Sequence, residues 1–207
     1  MKQREVWNSI APEWHRLRTK PHKDIVDFIS NSEGLILDLG CGSGRHMIKG
    51  KKYVGFDFAE KMIKLAKEKA SKEKIKAFFA VARADAMPFK DNVFDAVVAA
   101  NVIHQIEGEE PRKKSVMEMW RVMKPGSSAI ISVWNKNQPR LNFKRKEDFV
   151  RWKIGDNEYH RYYYFFSRKE LRKLLEESGF KVLRVFDSSH KAFKLFPMDI
   201  VAIIQKP

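Results

Sequence analysis

Short runs of apolar residues alternate along this chain with longer segments whose apolar residues recur at helical spacing. Seven runs predict strands, at 35–40, 53–57, 76–82, 94–100, 127–134, 181–186 and 199–205. Three segments between them predict helices, at 59–71, 111–123 and 167–178. Continuous apolar runs, rather than strictly alternating ones, are typical of strands that are covered on both faces. The pattern therefore predicts a doubly wound α/β fold whose successive strands are mostly parallel.

The helix at 167–178 has the clearest end signals. Ser167 and Glu170 have the spacing of a capping box, in which each residue bonds the backbone of the other, and Gly179 follows the last turn. Two further stretches with helical spacing lie in residues 1–31, which predicts an N-terminal helical region.

The organisation beyond these elements is simple. A chain of 207 residues sustains a single core, so we expect one domain over residues 1–207. Residues 135–158 have few apolar and many charged side chains, which predicts a long surface loop that a ligand could order. This loop belongs to a substrate-side insertion at 135–166.

A glycine-rich loop follows the first predicted strand, with the sequence Asp38-Leu39-Gly40-Cys41-Gly42-Ser43-Gly44. Glycines let the backbone turn sharply and approach a ligand without side-chain obstruction, which is typical of nucleotide-binding loops. The spacing is G-x-G-x-G rather than the G-x-G-x-x-G of dinucleotide-binding loops, so NAD is the second choice of cofactor. Cys41 has no neighbouring base, which favours a small packing residue over a nucleophile.

Acidic residues recur at the ends of successive predicted strands. Asp57 lies 19 residues after Asp38, where a carboxylate can accept hydrogen bonds from both ribose hydroxyls. Asp85 follows the third strand and can meet an adenine amino group, while Phe58 and Met62 can supply apolar contacts to the ring. Each aspartate alone would fit a helix cap or a turn. Their ordered recurrence favours one shared site.

This succession of elements, over residues 30–134, resembles the class I methyltransferases that use S-adenosylmethionine. The resemblance implies a Rossmann-like, seven-stranded, mostly parallel sheet with an antiparallel last strand. It also implies S-adenosylmethionine as the cofactor, with the methionine portion near the glycine loop, the ribose at Asp57 and the adenine at Asp85 and Ala86. The full set of cofactor-binding residues that we expect is Asp38, Gly40, Gly42, Gly44, Asp57, Phe58, Met62, Asp85, Ala86 and Asn101.

Most of the chain is also similar to the tRNA methyltransferases that esterify 5-carboxymethyluridine at the wobble position. The matching segments are VWNSIAPEW, RLRTKPH, NVIHQI, AIISVWN, DFVRW, YHRYYYFFSRKEL and VAIIQKP. The chain departs from that family at Gln105 and Tyr164, where the family has histidine. The resemblance implies that the acceptor is the carboxylate of a wobble uridine in the tRNA anticodon region.

The residues themselves suit such an acceptor. A carboxylate has an unperturbed pKa of ~4, so it is already ionised near neutral pH and needs positioning rather than a general base. We assign acceptor positioning to His104, which follows the fourth strand, and to Arg161. A structural histidine and core packing of Trp134 are the alternatives. The acceptor contacts that we expect, including aromatic rings that stack on an unpaired base, are Arg18, Lys20, Trp134, Arg161, Tyr162 and Tyr163.

The charge of the chain adds a polyanion as a candidate partner. Lys and Arg number 41 against 26 Asp and Glu, a formal net charge of +15 that would attract nucleic acid. Within the insertion, a basic cluster interleaved with Phe143, Phe149 and Trp152 could bind the anticodon stem or form a solvated lid. The cluster comprises Arg140, Lys144, Arg145, Lys146, Arg151 and Lys153.

Other classes of partner receive less support. One cysteine, Cys41, excludes an internal disulfide, and the histidines lack metal-ligand spacing, so we expect no metal. No apolar run could span a bilayer and the start of the chain lacks a signal-peptide core, so we expect no membrane association and a cytoplasmic location. The resemblance to the tRNA enzymes further implies a small zinc-ribbon activator protein, which we expect at the apolar edge strand 78–82.

Two other functions remain open from the sequence. A small-molecule methyltransferase is one, because the glycine loop does not identify the acceptor. A noncatalytic RNA-binding scaffold that retains the fold is the other.

Overall fold

The computed structural model describes residues 2–138, 145–188, 191–193 and 196–207. The helices are α1 (Gln3–Leu17), α2 (Lys23–Asn31), α3 (Glu60–Lys72), the 3-10 helix η1 (Ile103–Gln105), α4 (Glu109–Val122) and α5 (Arg168–Glu177). The strands are β1 (Leu35–Leu39), β2 (Lys52–Asp57), β3 (Lys76–Val81), β4 (Phe94–Ala100), β5 (Met123–Trp134), β6 (Glu147–Ile154), β7 (Asn157–Tyr164), β8 (Lys181–Asp187), β9 (Lys191–Phe193), β10 (Phe196–Pro197) and β11 (Asp199–Gln205). Among the helices described, none has the length and apolar character that would let it cross a membrane.

The predicted seven-stranded sheet is confirmed. Its order is β3-β2-β1-β4-β5-β11-β8. The neighbours from β3 to β5 are parallel, whereas β11 runs antiparallel to both β5 and β8. All carboxyl ends of the parallel strands therefore meet at one edge of the sheet, which is where ligands bind in open α/β folds.

Helices cover both faces of the sheet. Successive side chains of β1 pack alternately into the two cores that these helices form. Leu37 and Leu39 belong to the core cluster formed with α4 and α5, while Ile36 belongs to the cluster formed with α2 and α3. Because successive side chains on a strand point to opposite faces, a continuous apolar run supplies both cores. The capping box at the start of α5 is also present, since Ser167 accepts a hydrogen bond from the Glu170 amide.

The loop prediction for residues 135–158 is wrong from residue 147 onward, because β6 and β7 form an antiparallel hairpin with Ile154 opposite Asn157. Two residues close its turn, and the first, Gly155, has a φ of +56°, as such tight turns require. The signal was present as strict alternation in 150–154, where charged residues separate Val150, Trp152 and Ile154. Its apolar face packs on α1. The high charge of the segment belongs to the outer face of a strand rather than to a loop.

Strand β3 lies at an edge of the sheet, as the sequence predicts. Its outer edge has no strand neighbour in the part of the chain that the structure describes. Phe78, in the middle of this strand, has 79% of its surface exposed. Large apolar residues at an open strand edge are uncommon, because they favour pairing with another chain.

The loop after β1 yields a prediction on backbone strain. Gly40 has a φ of +61° and a Cβ there would lie 2.4 Å from Val102 Cγ2, whereas Gly42 has a φ of +53° and open space around its Cβ position. Gly40→Ala should therefore add overpacking of about 1 to 3 kcal/mol to the left-handed strain of about 1 to 2 kcal/mol that Gly42→Ala carries alone. Urea unfolding of both variants measures the difference, and equal losses would contradict the close contact with Val102.

Candidate functional site

A cavity of about 1180 Å³ opens at the carboxyl ends of the central strands. Its wall is built from the glycine loop, the end of β2, α1 and the hairpin β6–β7. Sites for drug-sized ligands measure roughly 300 to 1,000 Å³, so this cavity has room for a nucleotide-sized cofactor and part of a second molecule. The predicted site residues that line it are Arg18, Gly40, Gly42, Asp57, Phe58, Met62, Asp85, Asn101, Trp134, Arg161 and Tyr163.

Hydrogen bonds tie the glycine loop to the end of β2. The Gly42 amide donates to Asp57 Oδ2 at 3.1 Å, and the Ala59 amide donates to Asp57 Oδ1 at 2.9 Å. Burial raises the pKa of Asp57 to about 6, although these backbone hydrogen bonds oppose the shift. Each carboxylate oxygen keeps a further lone pair, so Asp57 is oriented and can still accept bonds from a ligand.

Two other predicted cofactor-binding residues, Asp38 and Gly44, do not line the cavity. Asp38 is buried, and the absence of solvent together with the negative charge of Asp57 raises its pKa to about 7. Gly44 supports the loop against α3, since a Cβ at Gly44 would contact Ala66 at 3.7 Å.

The cavity is also lined by Phe58, Met62 and Asp85. The carboxylate of Asp85 accepts hydrogen bonds from Arg83 at 2.6 and 2.8 Å, which lower its pKa. Ala86 does not line the cavity, and its backbone amide donates to the Arg83 carbonyl at 3.2 Å. The predicted contact of Ala86 with adenine therefore has no support in this geometry.

Asn101 follows β4 and lines the cavity in a left-handed conformation, with a φ of +60°. The backbone amide of Asn101 donates to both the carbonyl and the hydroxyl oxygen of Ser132, each at 3.0 Å. These bonds fix a backbone turn that a residue with a bulky side chain rarely adopts.

The second half of the cavity contains a stack of aromatic rings. Trp134 and Tyr163 have ring centroids 4.2 Å apart, and His104 stacks on them at 5.8 and 5.1 Å. Trp134 and Tyr163 line the cavity, but His104 is fully buried and does not. The prediction that His104 faces the crevice is thus corrected: η1 turns its ring into the space between β5 and β7.

Burial makes His104 a neutral side chain. Loss of solvent, followed by the positive charges of Arg161 and Arg112, lowers the pKa of His104 to about 3. Neither ring nitrogen has a hydrogen-bond partner within the described chain. His104 is therefore neither placed nor protonated for acid–base work on a ligand.

Arg161 lies inside a cage of aromatic rings. Its guanidinium carbon is 4.9 Å from the ring centroid of Trp152 and 5.2 Å from that of Tyr163, whose hydroxyl accepts a hydrogen bond from Nη1 at 2.7 Å. Trp7 and Trp14 of α1 complete the cage at 5.9 and 5.5 Å. Cation–π contacts of a desolvated guanidinium are worth about 2 kcal/mol or more, so this arrangement holds a positive charge at the cavity wall.

Of the remaining predicted acceptor-binding residues, one lines the cavity and two do not. Arg18 lines the cavity, with its guanidinium carbon 5.3 Å from the ring centroid of Trp14. Lys20 is exposed and lies off the cavity, and Tyr162 is buried on the other face of β7, where its hydroxyl donates to Glu147 at 2.5 Å. Adjacent strand residues point in opposite directions, so Tyr162 cannot share a stack with Tyr163.

Sequence reasoning missed several residues of this cavity. Trp7 and Trp14 lie on one face of α1, seven residues apart, which is a helical-period signal. Arg45 and His46 follow the glycine loop directly and also line the cavity. Asp199, at the start of β11, reaches it because β11 pairs with β5 opposite Trp134, a pairing that the local sequence does not signal.

Comparison with known proteins supports the same class as the fold and the loop. Residues 37–131 match the family model of a methyltransferase domain. A solved S-adenosylmethionine-dependent methyltransferase from Methanosarcina mazei superimposes with a TM-score of 0.74 at 24% identity, over 90% of this chain and 98% of that one. Together these findings support a class I S-adenosylmethionine-dependent methyltransferase.

Two curated relatives have names that specify tRNA methyltransferases. "Probable tRNA methyltransferase 9B" from Bos taurus is 27% identical over 72% of this chain. The "tRNA (carboxymethyluridine(34)-5-O)-methyltransferase" from Arabidopsis thaliana is 30% identical over 64% of this chain. This chain spans 32% of the length of each of them. The chain is thus similar to about a third of the length of two proteins that are named as tRNA methyltransferases.

The raised pKa of Asp38 predicts a pH-dependent stability. The unfolded value is ~3.9, so the ligand-free protein loses stability as pH rises from about 4 to 7, where the folded-state pKa lies. Asp38→Asn should remove this loss. Relative to the parent protein, the variant's free energy of unfolding should rise by roughly 1 to 3 kcal/mol more at pH 8 than at pH 5, as measured by urea unfolding.

Asp95→Asn is the matched control. Hydrogen bonds from the Leu35 amide and from Lys124 lower the pKa of Asp95, so both pH values lie above it and its stability change should be the same at each. A pH-independent change for Asp38→Asn would show that this carboxyl is not perturbed.

Proposed function

We propose that this chain transfers the methyl group of S-adenosylmethionine to the carboxylate of a wobble 5-carboxymethyluridine in tRNA. One observation carries the proposal. A single cavity joins the glycine loop and Asp57 to a wall formed by Trp134, Tyr163 and Arg161, which are the groups needed to hold a nucleotide cofactor beside a flat, anionic acceptor. The relative from Arabidopsis thaliana, whose name states this reaction, supports the choice of acceptor.

The side chains and backbone around the glycine loop and the end of β2 fit S-adenosylmethionine. Gly42 leaves open space where a Cβ would stand, so the backbone can approach a ligand closely. Asp57 offers an oriented carboxylate for ribose hydroxyls, and Phe58 and Met62 offer apolar contacts for a base. Bound S-adenosylmethionine would supply a methyl group from its sulfonium to the acceptor carboxylate by in-line displacement, with S-adenosylhomocysteine as the leaving group.

The acceptor half fits a nucleophile that is already ionised. Arg161 and Arg18 can attract a carboxylate to this end of the cavity, and Trp134 and Tyr163 offer ring faces to a uracil. His104 cannot take a proton at neutral pH, because its pKa is about 3. In this proposal His104 is a positioning residue that supports Trp134 and Tyr163 from behind, and catalysis consists of alignment and exclusion of water.

The outer face of the hairpin suits RNA outside the cavity. Phe149 has 49% of its surface exposed. Arg151 and Lys153 follow it on the same face of β6, where Arg151 lies opposite His160 of β7 and Lys153 lies opposite Glu158. Exposed aromatic rings between cations can stack on bases and neutralise phosphates. Arg145 and Lys146 are exposed next to this face, whereas Arg140, Phe143 and Lys144 of the predicted cluster lie outside the described residues.

The experiment is transfer of labelled methyl from S-adenosylmethionine to total tRNA, followed by mild base treatment and nucleoside mass spectrometry. A base-labile methyl ester on a wobble uridine is the expected product. Arg161→Gln should lower transfer by at least about tenfold, since a charge-assisted hydrogen bond contributes about 1.5 to 3 kcal/mol, with cofactor affinity nearly unchanged.

Arg172→Gln, an exposed change on α5, is the charge-matched control and should transfer normally. Labelled small molecules with unlabelled tRNA would favour a small-molecule acceptor. RNA binding without any product would favour a scaffold.

We further propose that a small zinc-ribbon activator adds a strand to the open edge of β3. Phe78, at 79% exposure, supplies the apolar contact, and the unpaired backbone of an edge strand supplies hydrogen bonds. Phe78→Lys should abolish co-purification of a co-expressed zinc-ribbon protein. Leu183→Lys, at a residue 48% exposed on the opposite edge strand β8, should not. Loss in both variants, or in neither, would place the partner elsewhere.

A further inference from the structure

The side chain of Gln3, in the first turn of α1, binds the backbone of β7. Its Nε2 donates to the His160 carbonyl at 3.1 Å, and its Oε1 accepts a hydrogen bond from the Tyr162 amide at 3.0 Å. Gln3 also lines the cavity. These partners lie at the other end of the chain, so local sequence does not signal the contact, and the proposed function does not use it.

The two bonds occupy the outer edge of the hairpin. Among the described strands, β6 is the only neighbour of β7, so the other edge of β7 has backbone N–H and C=O groups without a strand to pair with. A glutamine amide carries a carbonyl acceptor and N–H donors in one plane, much as a peptide group does. Gln3 therefore takes the place of a neighbouring strand, and the single residue between its two partners is Arg161.

Arg161 is held by one face of α1 in two ways. Trp7 and Trp14 follow Gln3 after about one and about three helical turns, so the three side chains lie on the same face. The guanidinium carbon of Arg161 is 5.9 and 5.5 Å from the ring centroids of these tryptophans. Gln3 fixes the backbone on both sides of Arg161, while the rings contact the guanidinium at its end.

The helix that carries Gln3 is itself attached to the cofactor side of the cavity. The Lys61 amide donates to Asn8 Oδ1 at 3.0 Å, and Asn8 Nδ2 donates to Glu60 Oε2 at 2.8 Å. Both partners belong to the first turn of α3, which begins just after the end of β2. Helix α1 thus joins the start of α3 to β7, and the Gln3 amide is the hydrogen-bonded end of that connection on the hairpin.

We propose that Gln3 is a positioning residue for methyl transfer, which acts by fixing Arg161 relative to the cofactor side of the cavity. The inference rests on the proposed function, in which Arg161 attracts the acceptor. In-line displacement is sensitive to alignment, and a misplacement of about 1 Å can cost roughly 100-fold in rate. Loss of the Gln3 bonds leaves the charge of Arg161 in place, so alignment should suffer more than attraction.

Gln3→Met tests this role, because methionine has a similar length and helix propensity but no amide. With tRNA as the acceptor, kcat should fall by about five- to tenfold, while the KM for tRNA and the affinity for S-adenosylhomocysteine stay within about twofold of the parent values. A parental kcat would overturn the proposal.

Gln205→Met is the matched control. Gln205 also donates to a backbone carbonyl, that of Gly126 at 3.0 Å, at the end of β11 remote from the cavity. This variant should keep the parental kcat. Hydrogen exchange at the Tyr162 amide should be at least about tenfold faster in Gln3→Met than in Gln205→Met. Equal exchange would show that Gln3 does not hold β7, and would contradict the proposed role.

A double-mutant cycle with Arg161→Gln separates positioning from a general structural effect. If Gln3 acts through Arg161, adding Gln3→Met to Arg161→Gln should lower kcat by less than about twofold further, because the group that it positions is already gone. A further loss as large as that of Gln3→Met alone would make Gln3 a structural residue and overturn the proposal.

Failure of this inference differs from failure of the proposed function. A parent protein that methylates no tRNA overturns both. Transfer to a wobble uridine by the parent and by Gln3→Met at the same kcat removes the role of Gln3 and retains the proposed acceptor.

Discussion

The hydrogen bond from the Gly42 amide to Asp57 is the interaction on which the geometry of this site depends. It joins the loop after β1 to the end of β2, the neighbouring strand of the sheet. The loop can reach Asp57 only because Gly40 and Gly42 adopt positive φ angles, a conformation that costs other residues about 1 to 2 kcal/mol. The second bond to Asp57, from Ala59, starts α3 from the same point. One carboxylate thereby fixes a loop, a strand end and a helix start around one edge of the cavity.

The other side of the cavity depends on positive charge held by aromatic rings. Arg161 would be costly to bury in an apolar wall, but the ring faces around it and the Tyr163 hydroxyl offset that cost. The rings come from α1 and from the hairpin, two elements that are far apart along the chain. The hairpin is therefore part of the cavity wall rather than a loop beside it, and its inner and outer faces differ because its side chains alternate.

The two halves suggest a division of labour that does not need a general base. Asp57 and Asp38 are buried acids with raised pKa values on the cofactor side, and the cations Arg18 and Arg161 line the acceptor side. His104 is neutral and out of reach, so proton transfer has no obvious agent among the groups described. Such a site suits an acceptor that arrives as an anion, which is why the proposed carboxylate fits better than an amine or a hydroxyl.

The sequence by itself determined the sheet, its helices and the glycine loop with Asp57, because these depend on local periodicity, backbone conformation and strand ends that always meet at one edge. Local pattern also contained the hairpin, whose alternation was hidden by its charge. Only the tertiary structure decided which side chains face the cavity: it turned His104 inward, placed Tyr162 on the far face of β7 and brought Arg45 beside Arg18. Those outcomes depend on how α1, the hairpin and β11 pack over the strand ends, and contacts between residues so distant in the chain leave no periodic signal in the sequence.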